Sequence, residues 1–241
     1  MNIRTAASDN DRTYNVLRAM AKEFEELPLF LLHTVLFPYA HIRLHVFEDR
    51  YKELVHDCIH EERPFGIVLI RSGDEAGQLA DPYMVGTAVH IEKVDYLEDG
   101  RMDIQVHGER RFRIRRLDES RPYLTGYVEP LMEHEIENES EAENIFLAAR
   151  QEFELLVQKL FARQEFNVQV VFPSDPVVLS FTIANLLSME NLDKQRLLET
   201  TDTLERVQAL IPLLQSQNMN MPSTSCYPVG AVELAEWITP N

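Results

Sequence analysis

Residues 27–55 read LPLFLLHTVLFPYAHIRLHVFEDRYKELV. Near the middle of this stretch, Ile42, Leu44 and Val46 alternate with polar residues, which is typical of a strand with one buried face. From residue 47 to residue 60 the apolar residues recur at helical spacing instead. The stretch therefore predicts strands interrupted by one helix, whose apolar stripe consists of Phe47, Tyr51, Leu54, Val55, Cys58 and Ile59.

Strand patterns continue to about residue 132. Residues 65–70 (FGIVLI) form a continuous apolar run, which is typical of a strand buried on both faces. Asp99-Gly100 separates two alternating segments and suits the positive φ angles of a type I′ hairpin turn. Residues 122–129 predict a further strand. We therefore expect a β domain over residues 27–132.

The apolar period becomes helical from about residue 139. Ser140 with Glu143 forms a capping box, and Asp175 followed by a proline is a second helix start. Asp202 with Glu205 caps a later helix, and a shorter helix over residues 194–199 precedes it. Because strands and helices occupy separate parts of the chain, the predicted fold class is α+β.

Four regions are expected in all. Residues 1–26 form an extension with a short helix over 13–25, and residues 27–132 form the β domain. Residues 139–215 form a four-helix bundle, and residues 216–241 form a polar tail. Glutamates at alternate positions from 133 to 143 indicate a solvated linker between the β domain and the bundle.

Charge and composition exclude several classes of function. The chain has 23 Lys plus Arg against 40 Asp plus Glu, a net charge of −17, which disfavours nucleic acid and anionic membranes as partners. Two isolated cysteines and the absence of an apolar leader favour a reduced, cytoplasmic setting. No GxxxxGK[ST], GxGxxG or GxSxG motif occurs.

Five blocks of the sequence resemble the N-terminal substrate-binding domain of Lon protease and the segment that follows it. They agree in order and spacing over residues 27–215, beginning with LPLF, VLFP and FEDRY in the first block. The resemblance implies a PUA-like β pseudo-barrel with one inserted helix, followed by a helical bundle. The blocks are residues 27–55, 64–70, 85–114, 121–131, and a helical block that comprises 175–187 and 193–214.

The resemblance also implies a role without catalysis. A full Lon protease adds an ATPase module and a Ser-Lys peptidase module, and neither fits in this chain. We expect a stand-alone module, with no cofactor, that recognises unfolded or exposed polypeptide segments as an adaptor or chaperone. A separate protease and a homodimer are further expected partners. The chain departs from the family pattern at Phe30-Leu31-Leu32 and at Pro38-Tyr39, so its partner preference differs.

The turn Phe37-Pro38-Tyr39 is the candidate for polypeptide binding. Exposed aromatic residues between two strands are typical anchors for protein partners. In the alternative interpretation, Phe37 fills the end of the barrel.

A basic cluster supports a second hypothesis, RNA binding by a PUA-like module. The alternation with Phe112 and Ile114 favours instead a strand whose charged outer face is paired with acidic residues. The cluster consists of Arg110, Arg111, Arg113, Arg115 and Arg116.

Catalytic and metal sites have weaker support. His56 and His60 lie four residues apart on the predicted helix, on the same face as Asp49 and Glu53. A solvated polar face is favoured, because no further ligand has useful spacing, so no metal site is predicted. A hydrolase ranks last, since nothing distinguishes one of the 40 acidic residues as catalytic.

Overall fold

The structure is a computed structural model that describes residues 24–73, 80–136, 139–161, 168–170, 172–220 and 238–240. The helix predicted over residues 13–25 lies outside the described residues, except that Glu25 begins a strand. Most of the predicted tail, including Trp237, also lies outside them.

Seven strands form one sheet in the N-terminal part. Strand β1 pairs in parallel with β3, and the order β1-β7-β6-β5-β3 therefore closes on itself. All other pairs in this sheet are antiparallel, with β4 added to β3 and β2 added to β6. The elements are β1 (Glu25–Leu32), β2 (His41–Val46), α1 (Asp49–His60), β3 (Phe65–Ser72), β4 (Asp81–Pro82), β5 (Val85–Tyr96), β6 (Met102–Asp118) and β7 (Thr125–Pro130).

Strand β6 is long, and its two halves pair with different strands. Its second half pairs with β7, whereas its first half pairs with β2 and with the second half of β5. We call this three-stranded extension the wing, formed by residues 41–46, 102–107 and 90–96. Helix α1 packs on its inner face, where Leu54 and Val55 share a core with Leu44. The predicted helix is present, but its apolar stripe is buried only at Tyr51, Leu54, Val55 and Cys58. Phe47 precedes the helix, and both Phe47 and Ile59 are exposed.

The hairpin between β5 and β6 differs from the predicted type I′ turn. Gly100 has φ 77°, but Asp99 is not among the residues with positive φ, as a type I′ turn requires. The Leu97 N–H donates to the Arg101 carbonyl at 2.9 Å, and the Gly100 N–H donates to the Leu97 carbonyl at 3.1 Å. The loop thus has three residues, with glycine alone in the left-handed region.

Four helices follow the sheet, at the places where the sequence predicts them. The Asp175 side chain accepts from the Val178 N–H at 2.9 Å, and the Asp202 side chain accepts from the Leu204 N–H at 2.8 Å. These two predicted caps are therefore confirmed. The predicted capping box of Ser140 with Glu143 does not start its helix, because that helix already begins at Glu139. The helices are α2 (Glu139–Phe161), α3 (Pro176–Leu186), α4 (Asn191–Glu199) and α5 (Thr203–Asn220), and short strands β8 (Val168–Val170) and β9 (Ile238–Pro240) pair with each other.

The helices pack on the sheet as well as on one another. Helix α5 contacts α2 and α3, whereas α4 packs on β5, where the Gln195 side chain donates to the Val85 carbonyl at 3.1 Å. Phe37 and Leu69 share one buried core with residues of α2, α3, α4 and α5. The structure is thus a mixed α and β fold with a mostly antiparallel sheet, and it does not confirm a four-helix bundle. In the described part of the chain, every helix is too short or too polar to cross a bilayer.

Candidate functional site

The predicted binding turn lies at the junction between the sheet and the helices. Phe37 is fully buried, with its ring centroid 5.9 Å from that of Phe181 on α3. Pro38 is buried, and Tyr39 is half-buried with φ 66° and donates its N–H to the Gly108 carbonyl at 2.7 Å. The prediction of an exposed anchor is therefore wrong for Phe37 and Pro38, since both are buried and Phe37 packs in a core shared with the helices.

Arg111, counted in the basic cluster, is also buried at this junction. One of its terminal nitrogens donates to the carbonyls of Leu198 and Thr200, each at 2.7 Å, and the other contacts Glu133. Burial lowers the pKa of Arg111 to about 10, and the Glu133 carboxylate opposes this shift. Arg111 therefore joins strand β6 to the helical part and is not part of an exposed basic surface.

Arg206 on α5 approaches the same carboxylate from the other side. Its side chain is fully buried, and it donates to Glu133 at 3.0 Å and to the Ser180 hydroxyl at 2.9 Å. Burial lowers the pKa of Arg206 as well, and its guanidinium lies 4.1 Å from the Phe181 ring centroid. Sequence analysis singled out neither Arg206 nor the role of Glu133, which belongs to the run of glutamates predicted to be a solvated linker.

The other arginines of the cluster contact acidic or aromatic neighbours. Arg110 pairs with Glu25, and Arg115 pairs with Glu129 across strands β6 and β7. Arg113 faces Glu129 in the register of the same strands. The guanidinium carbon of Arg116 lies 3.9 Å from the Tyr127 ring centroid. Arg110, Arg115 and Arg116 therefore contact different neighbours within the protein.

An open strand edge lies on the wing. Strand β5 pairs with β6 throughout but with β3 only through residues 87–89. On that side, no strand in the described part of the chain pairs with residues 90–96. An edge with unpaired N–H and C=O groups can accept an additional strand.

A groove of about 460 Å³ follows this open edge. Its walls are the end of α1 and residues 90–96 of β5, and they include the polar side chains of His90, Glu92 and Lys93. Ile59 is 40% exposed and Tyr96 is 73% exposed, although both are large apolar side chains. At the floor, burial raises the pKa of the Cys58 thiol to about 12, so Cys58 is a neutral, apolar group there. The main apolar lining residues are Cys58, Ile59, Ile91, Val94 and Tyr96.

A second cavity of about 470 Å³ opens where β1, β4 and the connection between β6 and β7 meet. Tyr123 in its wall donates to the Asp57 carboxylate at 2.6 Å and accepts from Arg121 at 3.0 Å. Burial, reinforced by the hydrogen bond to Asp57, raises the pKa of Tyr123 to about 12. The phenol is thus a neutral donor that connects Asp57 and Arg121 in the wall of this cavity.

The histidines on α1 are not part of the group of side chains that could hold a metal ion. His56 and His60 are exposed on α1, as the polar-face interpretation expects. Among the described residues, the group of three side chains that could hold a metal is His41, Glu92 and His107, on three different strands. Sequence analysis missed this group, although two of its members belong to alternating strand patterns.

Comparisons with known proteins agree with this architecture. Residues 26–216 match the family model described as the ATP-dependent protease La (LON) substrate-binding domain. A Lon protease of Syntrophus aciditrophicus is 28% identical over 199 residues, which cover 80% of this chain and 25% of that protein. A Lon protease of Escherichia coli is 28% identical over 197 residues, with the same coverage. The chain thus spans about a quarter of the length of the curated relatives it matches.

Two solved structures share the fold. A Lon N-terminal domain protein from Xanthomonas campestris is 30% identical with a TM-score of 0.57, covering 78% of this chain and 98% of that chain. The N-terminal domain of a Lon protease from the Mycobacterium avium complex is 22% identical with a TM-score of 0.58, covering 79% of this chain and 98% of that chain. At that identity, the second structure supports the fold alone.

Proposed function

The chain belongs to the family of Lon substrate-binding domains, and from this premise we propose that it is a non-catalytic adaptor or chaperone for exposed polypeptide segments. The family model covers the substrate-binding domain, and the Lon proteases match over about a quarter of their length. Recognition of this kind needs an accessible backbone edge and apolar area rather than a catalytic group.

The open edge of β5 carries the proposal. An extended client segment adds as a strand along residues 90–96 and hydrogen-bonds through its backbone, which does not depend on the client's sequence. Alternate client side chains then contact the groove, where Ile59 and Tyr96 offer exposed apolar surface. This combination suits unfolded chains of varied sequence.

Charges along the same edge limit unwanted pairing. Glu92, Lys93 and Asp95 follow one another closely on β5. Charged side chains on an edge strand disfavour indiscriminate association between sheets. Client binding at this edge is therefore expected to be weak and reversible, as a protein that passes clients to a separate protease requires.

We further infer that the sheet is a PUA-like pseudo-barrel and that the protein forms a homodimer, as the family resemblance implies. The closed order β1-β7-β6-β5-β3 supports a PUA-like pseudo-barrel. A homodimer through the open edge of β5 would compete with clients, so sedimentation analysis with and without a bound peptide tests it. We also propose that the protein is located in the cytoplasm.

The groove is tested by titrating the full chain into a fluorescently labelled, permanently unfolded polypeptide and following anisotropy. Tyr96→Ala and Ile59→Ala should each weaken binding about tenfold, because each removes roughly 1.4 kcal/mol of apolar contact. Met132→Ala is the matched control, since Met132 is also 73% exposed but lies outside the groove, and it should bind as the parent does.

Strand addition is tested separately with a peptide that carries N-methyl groups on all of its backbone nitrogens. Such a peptide keeps its side chains but loses donors for a strand ladder, so its binding should be lost. Equal binding of the methylated and unmethylated peptides would rule out strand addition. Equal binding by the Tyr96 and Met132 variants would rule out the groove.

A further inference from the structure

The outer face of the wing is rich in histidine. Four of the eight histidines of the chain lie on its strands: His41, His45, His90 and His107. In the strand register, His107 on β6 lies opposite His41 on β2 and opposite His90 on β5. Residues directly opposite each other on paired strands project to the same face of a sheet, so these side chains share the face opposite α1.

Two of the histidines and one glutamate converge on this face. The ring centroids of His41 and His107 are 4.4 Å apart, and His41 Nε2 lies 3.2 Å from Glu92 Oε1. One ligand atom from each of the three side chains lies within 4.8 Å of the other two. Glu92 sits at a register shift between Ile91 and Lys93, and such bulges redirect a side chain.

We propose that His41, His107 and Glu92 form a binding site for a divalent transition-metal ion, with Zn²⁺ as the representative. Two imidazole nitrogens and one carboxylate oxygen are a preferred set for such ions, and three protein ligands leave a position for water. Ligand atoms around tetrahedral zinc are about 3.3 Å apart, given bond lengths of about 2.0–2.1 Å. The three ligand atoms lie within 4.8 Å of one another, so the ion requires each pair to approach by at most about 1.5 Å.

The simpler interpretation of the cluster is an ordinary ion pair between a histidine and a carboxylate. The same face contains two such pairs, His45 with Asp103 at 2.6 Å and His90 with Glu109 at 3.0 Å. The metal-site cluster differs because it adds a second imidazole, and because His41 is only 19% exposed. The two simple pairs are therefore internal controls for the metal site.

Metal binding at this site would connect all three strands of the wing. The ligands come from β2, β6 and β5, which are paired with one another as neighbouring strands. An ion that binds only the folded state stabilises it, so added Zn²⁺ should raise the melting temperature. This inference does not depend on the proposed binding of polypeptides.

The test is calorimetric titration of ZnCl₂ into the full, tag-free, metal-free chain. We expect one ion per chain, with visible absorption typical of a tetrahedral site when Co²⁺ is used instead. His41→Gln, His107→Gln and Glu92→Gln should each weaken binding at least about tenfold, since even the loss of an outer hydrogen-bond partner costs that much at zinc sites. His45→Gln and His90→Gln should leave the affinity within about twofold of the parent.

The proposal would be overturned by the absence of saturable binding, by several weak ions per chain, or by an equal loss of affinity in the control variants. Circular dichroism of each metal-free variant establishes that it is folded. Glutamine retains hydrogen-bonding capacity beside the neighbouring side chains but is a poor zinc ligand, so unchanged affinity in His41→Gln would also contradict the site.

Discussion

Glu133 has a different environment in the structure from the one that the sequence predicts. In the sequence it begins a run of glutamates at alternate positions, which is typical of a solvated segment. In the structure its carboxylate pairs with Arg111 and Arg206, whose side chains are 2% and 0% exposed. A carboxylate between two buried guanidinium groups neutralises charge that would otherwise be costly to bury.

Replacement of Glu133 should therefore be strongly destabilising. Glu133→Gln leaves two buried guanidinium groups without their counterion, and we expect the free energy of unfolding to fall by about 3 kcal/mol. Urea denaturation followed by circular dichroism measures the change. Glu135→Gln, at an exposed position two residues away, should change it by less than about 0.5 kcal/mol. Similar losses in both variants would mean that the ion pairs contribute little.

At the scale of elements, local signals were most informative for helices and least for long strands. The caps at Asp175 and Asp202 correctly predicted two helix starts, because a cap depends on residues three or four positions away. Strand β6, by contrast, is continuous from Met102 to Asp118. In the sequence, its alternation of apolar and polar residues forms two separate segments, one before the arginine cluster and one within it. Register shifts opposite Val89 and near Arg115 interrupt its period and obscure its length.

The hairpin after β5 allows an element-scale prediction. Gly100 has φ 77° and no atom within 4 Å of the position a Cβ would take, so the cost of Gly100→Ala is backbone strain alone. We expect a loss of about 1 kcal/mol in the free energy of unfolding. Thermal or urea denaturation measures it, with Glu98→Ala in the same turn as the control. If both variants retain parental stability, the left-handed conformation at Gly100 is not required.

At the scale of the whole molecule, the charge distribution opposes the RNA-binding alternative. The net charge is −17, and Arg110, Arg111 and Arg115 each pair with a carboxylate. Phosphate contacts made by free arginines would produce binding that weakens steeply with salt. In the structure, these arginines instead form ion pairs with carboxylates of the same chain.

We therefore expect labelled single-stranded RNA to show no saturable binding between about 50 and 200 mM salt. Fluorescence anisotropy measures it, with the unfolded polypeptide as the positive comparison. RNA binding that falls with salt and is lost in Arg115→Gln would restore the RNA hypothesis. Arg43→Gln, a charge change on the exposed side of β2, is the control for a general electrostatic effect.

Short-range patterns in the sequence were sufficient for most of the longer strands and helices, for the helix starts at Asp175 and Asp202, and for the family. Each of these depends on residues that are close together in the chain or on blocks in a preserved order. Folding alone decided that Phe37 is buried and that Arg111 bonds to Leu198, 87 residues away. It also decided which strand edges lack a partner within the described part of the chain and which histidines meet, because these depend on contacts between distant segments that local periodicity does not encode.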